Sequence, residues 1–100
     1  MNAKFNAIIN QDQLTLVDFY ADWCGPCKML VPILQEVKSI VKDDVKIIKV
    51  NVDQHQDLAA EFSVRGVPTM LLFKEGKMLW RQSGVLSTKD LVGIIQNHLN

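Results

Sequence analysis

Trp23-Cys24-Gly25-Pro26-Cys27-Lys28 is the stretch whose reading decides the fold. It holds the only two cysteines of the 100-residue chain, with two residues between them. Before it runs Leu14 to Tyr20, an apolar segment that reads as a buried strand. After it, Met29 to Val41 has the apolar periodicity of an amphipathic helix. A Cys-x-x-Cys at a strand-to-helix junction within a βαβ pattern is the signature of a thiol redox centre.

Two cysteines at i and i+3 on a first helical turn share one face. Disulfides accept Cα separations of roughly 4.4–6.8 Å, so such a pair closes with little backbone movement. The ring is small and some strain is expected, which eases reduction. The pair should therefore cycle between dithiol and disulfide. Its sulfurs are not equivalent. Leu30, Leu34, Val37 and Val41 form one helical stripe with Cys27 at its edge, whereas Cys24 points away and belongs to an uncapped first turn. Free N–H groups and the positive end of the helix dipole favour a thiolate there. The expectation is a solvent-facing Cys24 as nucleophile and a shielded Cys27 as resolving thiol. Two other readings stand beside it. Half of a zinc site would need four ligands, and only His55 and His98 remain as imidazoles, at no characteristic spacing. A purely structural disulfide would close a loop too short to gain much chain entropy.

Composition narrows the class. One hundred residues, 48% of them hydrophobic and 22% charged, suit one globular domain spanning residues 1–100. Eleven basic and eleven acidic side chains balance, and no Lys/Arg cluster points to nucleic acid or to a membrane surface. Met1 to Gln13 has no continuous apolar core of a signal peptide, and no run approaches membrane-spanning length. The expectation is a cytoplasmic protein, in a compartment where a cysteine pair is more often catalytic than structural.

Working outward, Phe5, Ile8 and Ile9 predict a short helix within Asn2 to Asn10. Near-continuous hydrophobicity in Leu14 to Tyr20 predicts a strand covered on both faces. Pro32 lies inside the long helix and crowds the carbonyl of Lys28, which predicts a kink. Lys42-Asp43-Asp44 reads as a turn and Val45 to Val52 as a second buried strand, giving a right-handed parallel crossover. A short helix follows at about residues 54–62. Arg65-Gly66-Val67-Pro68 breaks the pattern. Met70 to Lys74 and Lys77 to Ser83 pair through a Glu75-Gly76 hairpin turn. After Gly84, Ser87 or Thr88 caps a last helix whose apolar face is Leu91, Val92, Ile94, Ile95 and Leu99.

Other residues carry chemistry. Asp18 sits in Leu16-Val17-Asp18-Phe19-Tyr20, where an ionised carboxylate is expensive. Burial raises its pKa and makes it a candidate proton relay to Cys27; the other reading is a buried ion pair with Lys49 on the neighbouring strand. Val67-Pro68-Thr69 reads from the residues alone as a loop with the usual trans proline. Trp23, just before a helix start, predicts an apolar rim. Trp80 reads as packing, and both histidines as surface residues.

With Val17-Asp18-Phe19, Trp23-Cys24-Gly25-Pro26-Cys27-Lys28, Gly66-Val67-Pro68-Thr69 and Gly84 in hand, the chain resembles the thioredoxin family from about Asn2 to Asn100. Gly25-Pro26 is similar to the reducing members; isomerases and periplasmic oxidants usually carry a histidine before the second cysteine, which stabilises the thiolate. The resemblance implies a cis Pro68 facing the cysteines. It implies that the Val67 backbone pairs with an extended client segment in strand-like fashion. Trp23, Gly25, Pro26, Val67, Gly84 and Val85 would form the docking surface, and Asp18 with Lys49 the family's buried acid and its lysine partner. No bound cofactor is implied. The partners implied are client proteins with reducible disulfides and a separate thioredoxin reductase, either flavin-containing and NADPH-dependent or ferredoxin-dependent.

Two departures qualify the match. The family has another short strand before its first helix, and this chain begins too late for a full one. The expected fold is therefore an α/β thioredoxin fold: a mixed four-stranded sheet flanked by four helices, with Val45–Val52 outermost, then Leu14–Tyr20, Met70–Lys74 and Lys77–Ser83. One strand fewer should lower stability and spare the site. Tyr20 replaces a frequent second tryptophan, and Ser83 is polar where the docking surface is often apolar; both bear on client preference. The function implied is a general protein-disulfide reductase acting as a monomer with no metal. The alternatives are the same chemistry restricted to one client, or a binding module in which the thiols are idle.

Overall fold

Six consecutive buried residues, Leu14 to Phe19, make β1 (Leu14–Tyr20) the centre of the molecule. In the computed structural model, which describes residues 2–99, β1 lies between two partners. β2 (Val45–Asn51) runs parallel to it and β3 (Thr69–Lys74) antiparallel, with β4 (Lys77–Ser83) beyond β3. The order is β2-β1-β3-β4, as expected. The parallel pair requires a crossover, supplied by α2 (Gly25–Val41). The helices α1 (Ala3–Ile9), α3 (Gln56–Glu61) and α4 (Thr88–Asn97) complete two covering layers.

Strand alternation divides the core. Leu14 and Leu16 face one side, with Val45, Met70 and Leu72, and receive Leu30, Leu34, Val37 and Val41 of α2 and Leu91 and Ile95 of α4. Val17 and Phe19 face the other, with Val50, Leu71 and Phe73, against Phe5 and Ile9 of α1 and Leu58 of α3. Phe62 closes that layer, its ring 5.6 Å from Phe5 and 5.4 Å from Phe73. Trp80 packs against the first layer, as expected.

Several boundaries differ from expectation. β2 was expected to be buried, but Lys46 and Lys49 are exposed and Ile47 and Ile48 only half-buried, because it is the sheet's outer strand. α2 begins at Gly25 rather than Met29, so the Cys-x-x-Cys lies at the very start of the helix. Pro32 lies inside α2, as expected, and the helix continues past it. The proline occupies an exposed position, where water can take the carbonyl it leaves free. At the hairpin, Glu75 and Gly76 both have positive φ (52° and 78°), the conformation a tight two-residue turn needs. Their N–H groups donate to Gln11 O (2.8 Å) and Ile9 O (3.1 Å), tying the turn to the end of α1. Ser87 is the cap of α4, its Oγ accepting from Asp90 N–H at 3.1 Å. No helix among the described residues is long and apolar enough to cross a membrane.

Candidate active site

β1 ends on Tyr20, and Cys24 N–H donates to Ala21 O (3.2 Å), which folds the connection tightly into α2. Cys24 is the N-cap and Gly25-Pro26 the first helical positions, where a missing proline N–H is harmless. Cys24 and Cys27 form a disulfide with Cα atoms 5.3 Å apart. The Cys24 Sγ accepts Cys27 N–H at 3.1 Å. The first turn is thus not uncapped as expected: the nucleophile candidate is itself the cap. Its sulfur occupies the place where helix N–H groups and the dipole stabilise negative charge.

The expected contrast in exposure is absent. Cys24 is 3% exposed and Cys27 4%, so the disulfide form buries both sulfurs. The reason is cover from both sides: Cys27 is bonded to Cys24, and Val67 O stands 3.6 Å from Cys24 Sγ. What distinguishes the sulfurs here is the donor: Cys24 receives a backbone N–H. On the other side, Cys27 lines an open cleft of about 190 Å³ with Tyr20, Asp22, Lys28, Val31 and Lys49.

The Val67–Pro68 bond is cis, as the resemblance implies and the residues alone did not. Thr69 holds the loop, its Oγ1 donating to Gly66 O (2.6 Å) and lying 2.9 Å from Ser83 Oγ. The polar Ser83 therefore has a local partner. Gly84, at φ 95°, donates its N–H to Pro68 O (2.8 Å). Val85 is half-buried and packs against the α2/α4 layer, so less of it is available for docking than expected. Gly25 and Pro26 are exposed and Val67 is half-buried.

Asp18 shares a face of β1 with Leu14 and Leu16, beneath α2, and is 1% exposed. Its Oδ1 has no hydrogen-bond partner. Burial pushes its pKa up from 3.8 to about 6, against a smaller opposing effect of the Lys49 charge. Lys49 is the register partner of Asp18, but the buried ion pair that was the other reading of Asp18 is not formed. Lys49 is exposed and its Nζ lies 4.7 Å from the centroid of the Tyr20 ring. An edge strand lets the long side chain keep its ammonium in water, so the lysine acts on Asp18 only through its field.

Trp23 is 70% exposed, consistent with a rim, and its Nε1–H donates to Asp53 Oδ2 at 2.9 Å. It lines a cleft with Val52, Val64, Arg65, Gly66 and Val67. Asp53 and Asn51 were not singled out from the sequence. Asn-x-Asp at the end of a strand is a turn signal, but nothing local says that its carboxylate reaches a tryptophan thirty residues away. His55 is exposed. His98 is half-buried, with Nδ1 2.7 Å from Ile94 O. Among the described residues no group of three or more His, Cys, Asp or Glu could hold a metal ion.

Comparison with known proteins agrees with this geometry. The thioredoxin family model matches residues 1–97. A thioredoxin of Haemophilus influenzae is 43% identical over 94 residues, covering 94% of this chain and 88% of that protein. The chloroplastic thioredoxin Y2 of Arabidopsis thaliana is also 43% identical, over 98% of this chain, which spans only 59% of the plant protein's length. In structure, a mutant thioredoxin from Halobacterium salinarum superposes with a TM-score of 0.89 at 33% identity, over 100% of this chain and 87% of that one.

Proposed function

The chain belongs to the thioredoxin family, and we propose that it is a general protein-disulfide reductase that passes electrons from a thioredoxin reductase to client proteins. Cys24–Cys27 is its redox-active disulfide centre. The observation that carries the reading is the Cys24 sulfur, capping α2 and bonded to Cys27 directly beside the Val67 carbonyl.

In the dithiol form the helix start favours the Cys24 thiolate. It attacks one sulfur of a client disulfide. A Cys24–client bond forms, the client S–S bond breaks, and the departing client thiolate takes a proton. The Cys27 thiol gives its proton to Asp18, directly or through water, and the resulting thiolate attacks Cys24 Sγ. The internal disulfide forms, the mixed disulfide breaks, and the client leaves with two electrons. Asp18 suits this role because a carboxyl group with a pKa of about 6 is poised near neutral pH, and the Lys49 charge tunes it. Gly25 and Pro26 keep the centre free of the histidine found in more oxidising relatives. Trp23, Val67, cis Pro68 and Gly84, with the accessible part of Val85, receive the client, whose extended backbone pairs with Val67. The protein needs no bound cofactor or metal. Its reductase, NADPH- and flavin-dependent or ferredoxin-dependent, returns two electrons to Cys24–Cys27. We place the protein in a reducing cytoplasm as a monomer.

The test is reductase-driven turnover of an unrelated disulfide protein such as insulin. Turnover that Cys24→Ser abolishes is the expected result, with a centre potential near the roughly −270 mV of thioredoxins. Activity retained by Cys24→Ser would overturn the enzymatic reading. Turnover confined to one client would overturn its generality.

A further inference from the structure

Cys24 Sγ sits between two backbone groups of opposite effect. On the helix side it accepts Cys27 N–H at 3.1 Å, a donor that favours the thiolate. On the loop side Val67 O lies 3.6 Å away. That oxygen is within reach of a thiol S–H, and it turns the negative end of its dipole toward a thiolate, so it favours the neutral thiol. The helix start fixes the first group. The second is only as fixed as the loop that carries it.

That loop is pinned at two points from the end of β4. Gly84 N–H donates to Pro68 O at 2.8 Å. Thr69 Oγ1 lies 2.6 Å from Gly66 O and 2.9 Å from Ser83 Oγ. Each hydroxyl has one proton to give, and a carbonyl has none. The Thr69 proton therefore goes to Gly66 O, and the Ser83 proton goes to Thr69 Oγ1. A directed chain results, Ser83 O–H to Thr69 O–H to Gly66 O, in which each bond polarises the next. Thr69 is fully buried, so water does not substitute for the Ser83 donor. Gly66 and Pro68 flank Val67, and the two pins together hold its carbonyl against the sulfur.

We propose that Ser83 is a positioning residue for the redox centre: through Thr69 and Gly66 it holds the Val67 carbonyl at the Cys24 sulfur and so restrains the thiolate. The proposal rests on the reading of Cys24 as nucleophile and adds what sets its reactivity. Removing the Ser83 hydroxyl leaves Thr69 Oγ1 buried without its donor and loosens one of the two pins. The carbonyl draws back and the thiolate gains. The centre then becomes less reducing, because what stabilises the thiolate stabilises the dithiol form.

The experiment compares Ser83→Ala with Ser83→Thr, which keeps the hydroxyl. Two quantities are read: the pH profile of Cys24 alkylation by iodoacetamide in the dithiol protein, located by mass spectrometry, and the dithiol/disulfide equilibrium against glutathione. In Ser83→Ala the alkylation midpoint should move to lower pH and the equilibrium should shift toward the dithiol by about threefold. Ser83→Thr should match the wild type. Thr69→Val cuts the same chain, so its shift should have the same sign, and adding Ser83→Ala to it should change nothing further. An unmoved midpoint with only a lower Tm would show a purely structural role and overturn the proposal. An alkaline shift, a Ser83→Thr profile that follows Ser83→Ala, or additive shifts would overturn it equally. If the wild type turned over no protein disulfide, the reductase reading would fail on its own, and the alkylation profiles would still decide the role of Ser83.

Discussion

Replacing Asp18 with asparagine should stabilise the folded protein, and by an amount that depends on pH. The carboxyl group is 1% exposed, its Oδ1 has no hydrogen-bond partner, and the nearest compensating charge belongs to an exposed lysine. Its pKa is raised from 3.8 to about 6 by burial. Between these values the folded state keeps a proton that the unfolded chain has lost, so stability falls as pH rises through the interval. Each unit of separation is about 1.4 kcal/mol, so the ionised carboxylate costs about 3 kcal/mol at pH values well above 6. Below about pH 4 both states are protonated and the cost disappears. Asparagine is close in size and stays neutral. Urea unfolding of the oxidised protein from about pH 4 to pH 8 should show wild type and Asp18→Asn nearly equal at the acid end. The variant should be about 3 kcal/mol more stable at the alkaline end, read from midpoints at constant m. A gap independent of pH, or one that widens toward acid, would refute the reasoning. The same burial makes the relay possible. Release of client from the mixed disulfide should slow by about 10²-fold in Asp18→Asn and lose its dependence on a group titrating near 6.

Three further outcomes follow from particular contacts. Cys27→Ser leaves Cys24 able to attack and unable to be displaced, so covalent client adducts that reductant releases should accumulate on mass spectrometry; their absence would contradict the assigned order of attack. Thr15 buries an Oγ1 with no partner on β1, so Thr15→Val should stabilise by about 1 kcal/mol and raise Tm by about 4–8 °C. A lower Tm would show that the hydroxyl is satisfied in solution. Arg81 reaches from β4 to the carbonyls of Phe62 and Ser63 past the end of α3. Arg81→Ala should therefore destabilise by about 1 kcal/mol and speed hydrogen exchange in α3 ahead of the sheet.

Much of the fold was legible because local periodicity and tertiary burial agreed. β1 read as a run of apolar residues, and Gly76 announced its turn. The strand order was read through the family resemblance. Legibility failed where a property belongs to a neighbour. The apolar character of β2 suggested a strand covered like β1, but its outer position leaves Lys46 and Lys49 in water. The same geometry replaced the buried Asp18–Lys49 pair with an ammonium near the Tyr20 ring. Cys24 was read from helical phase as the open sulfur, and phase cannot know that Val67, far along the chain, lies against it.

By itself the amino-acid sequence determined the reacting atoms and the element that activates them. Two cysteines three positions apart at a helix start can bond to each other, and the backbone N–H groups there stabilise a thiolate whatever surrounds them. Only the tertiary structure decided what those atoms meet: the Val67 carbonyl over Cys24, the unpaired carboxyl of Asp18 under α2, and the Asp53 carboxylate on Trp23. The physical reason is range. Helix capping acts within one turn, whereas desolvation and cross-chain hydrogen bonds depend on residues brought together by packing.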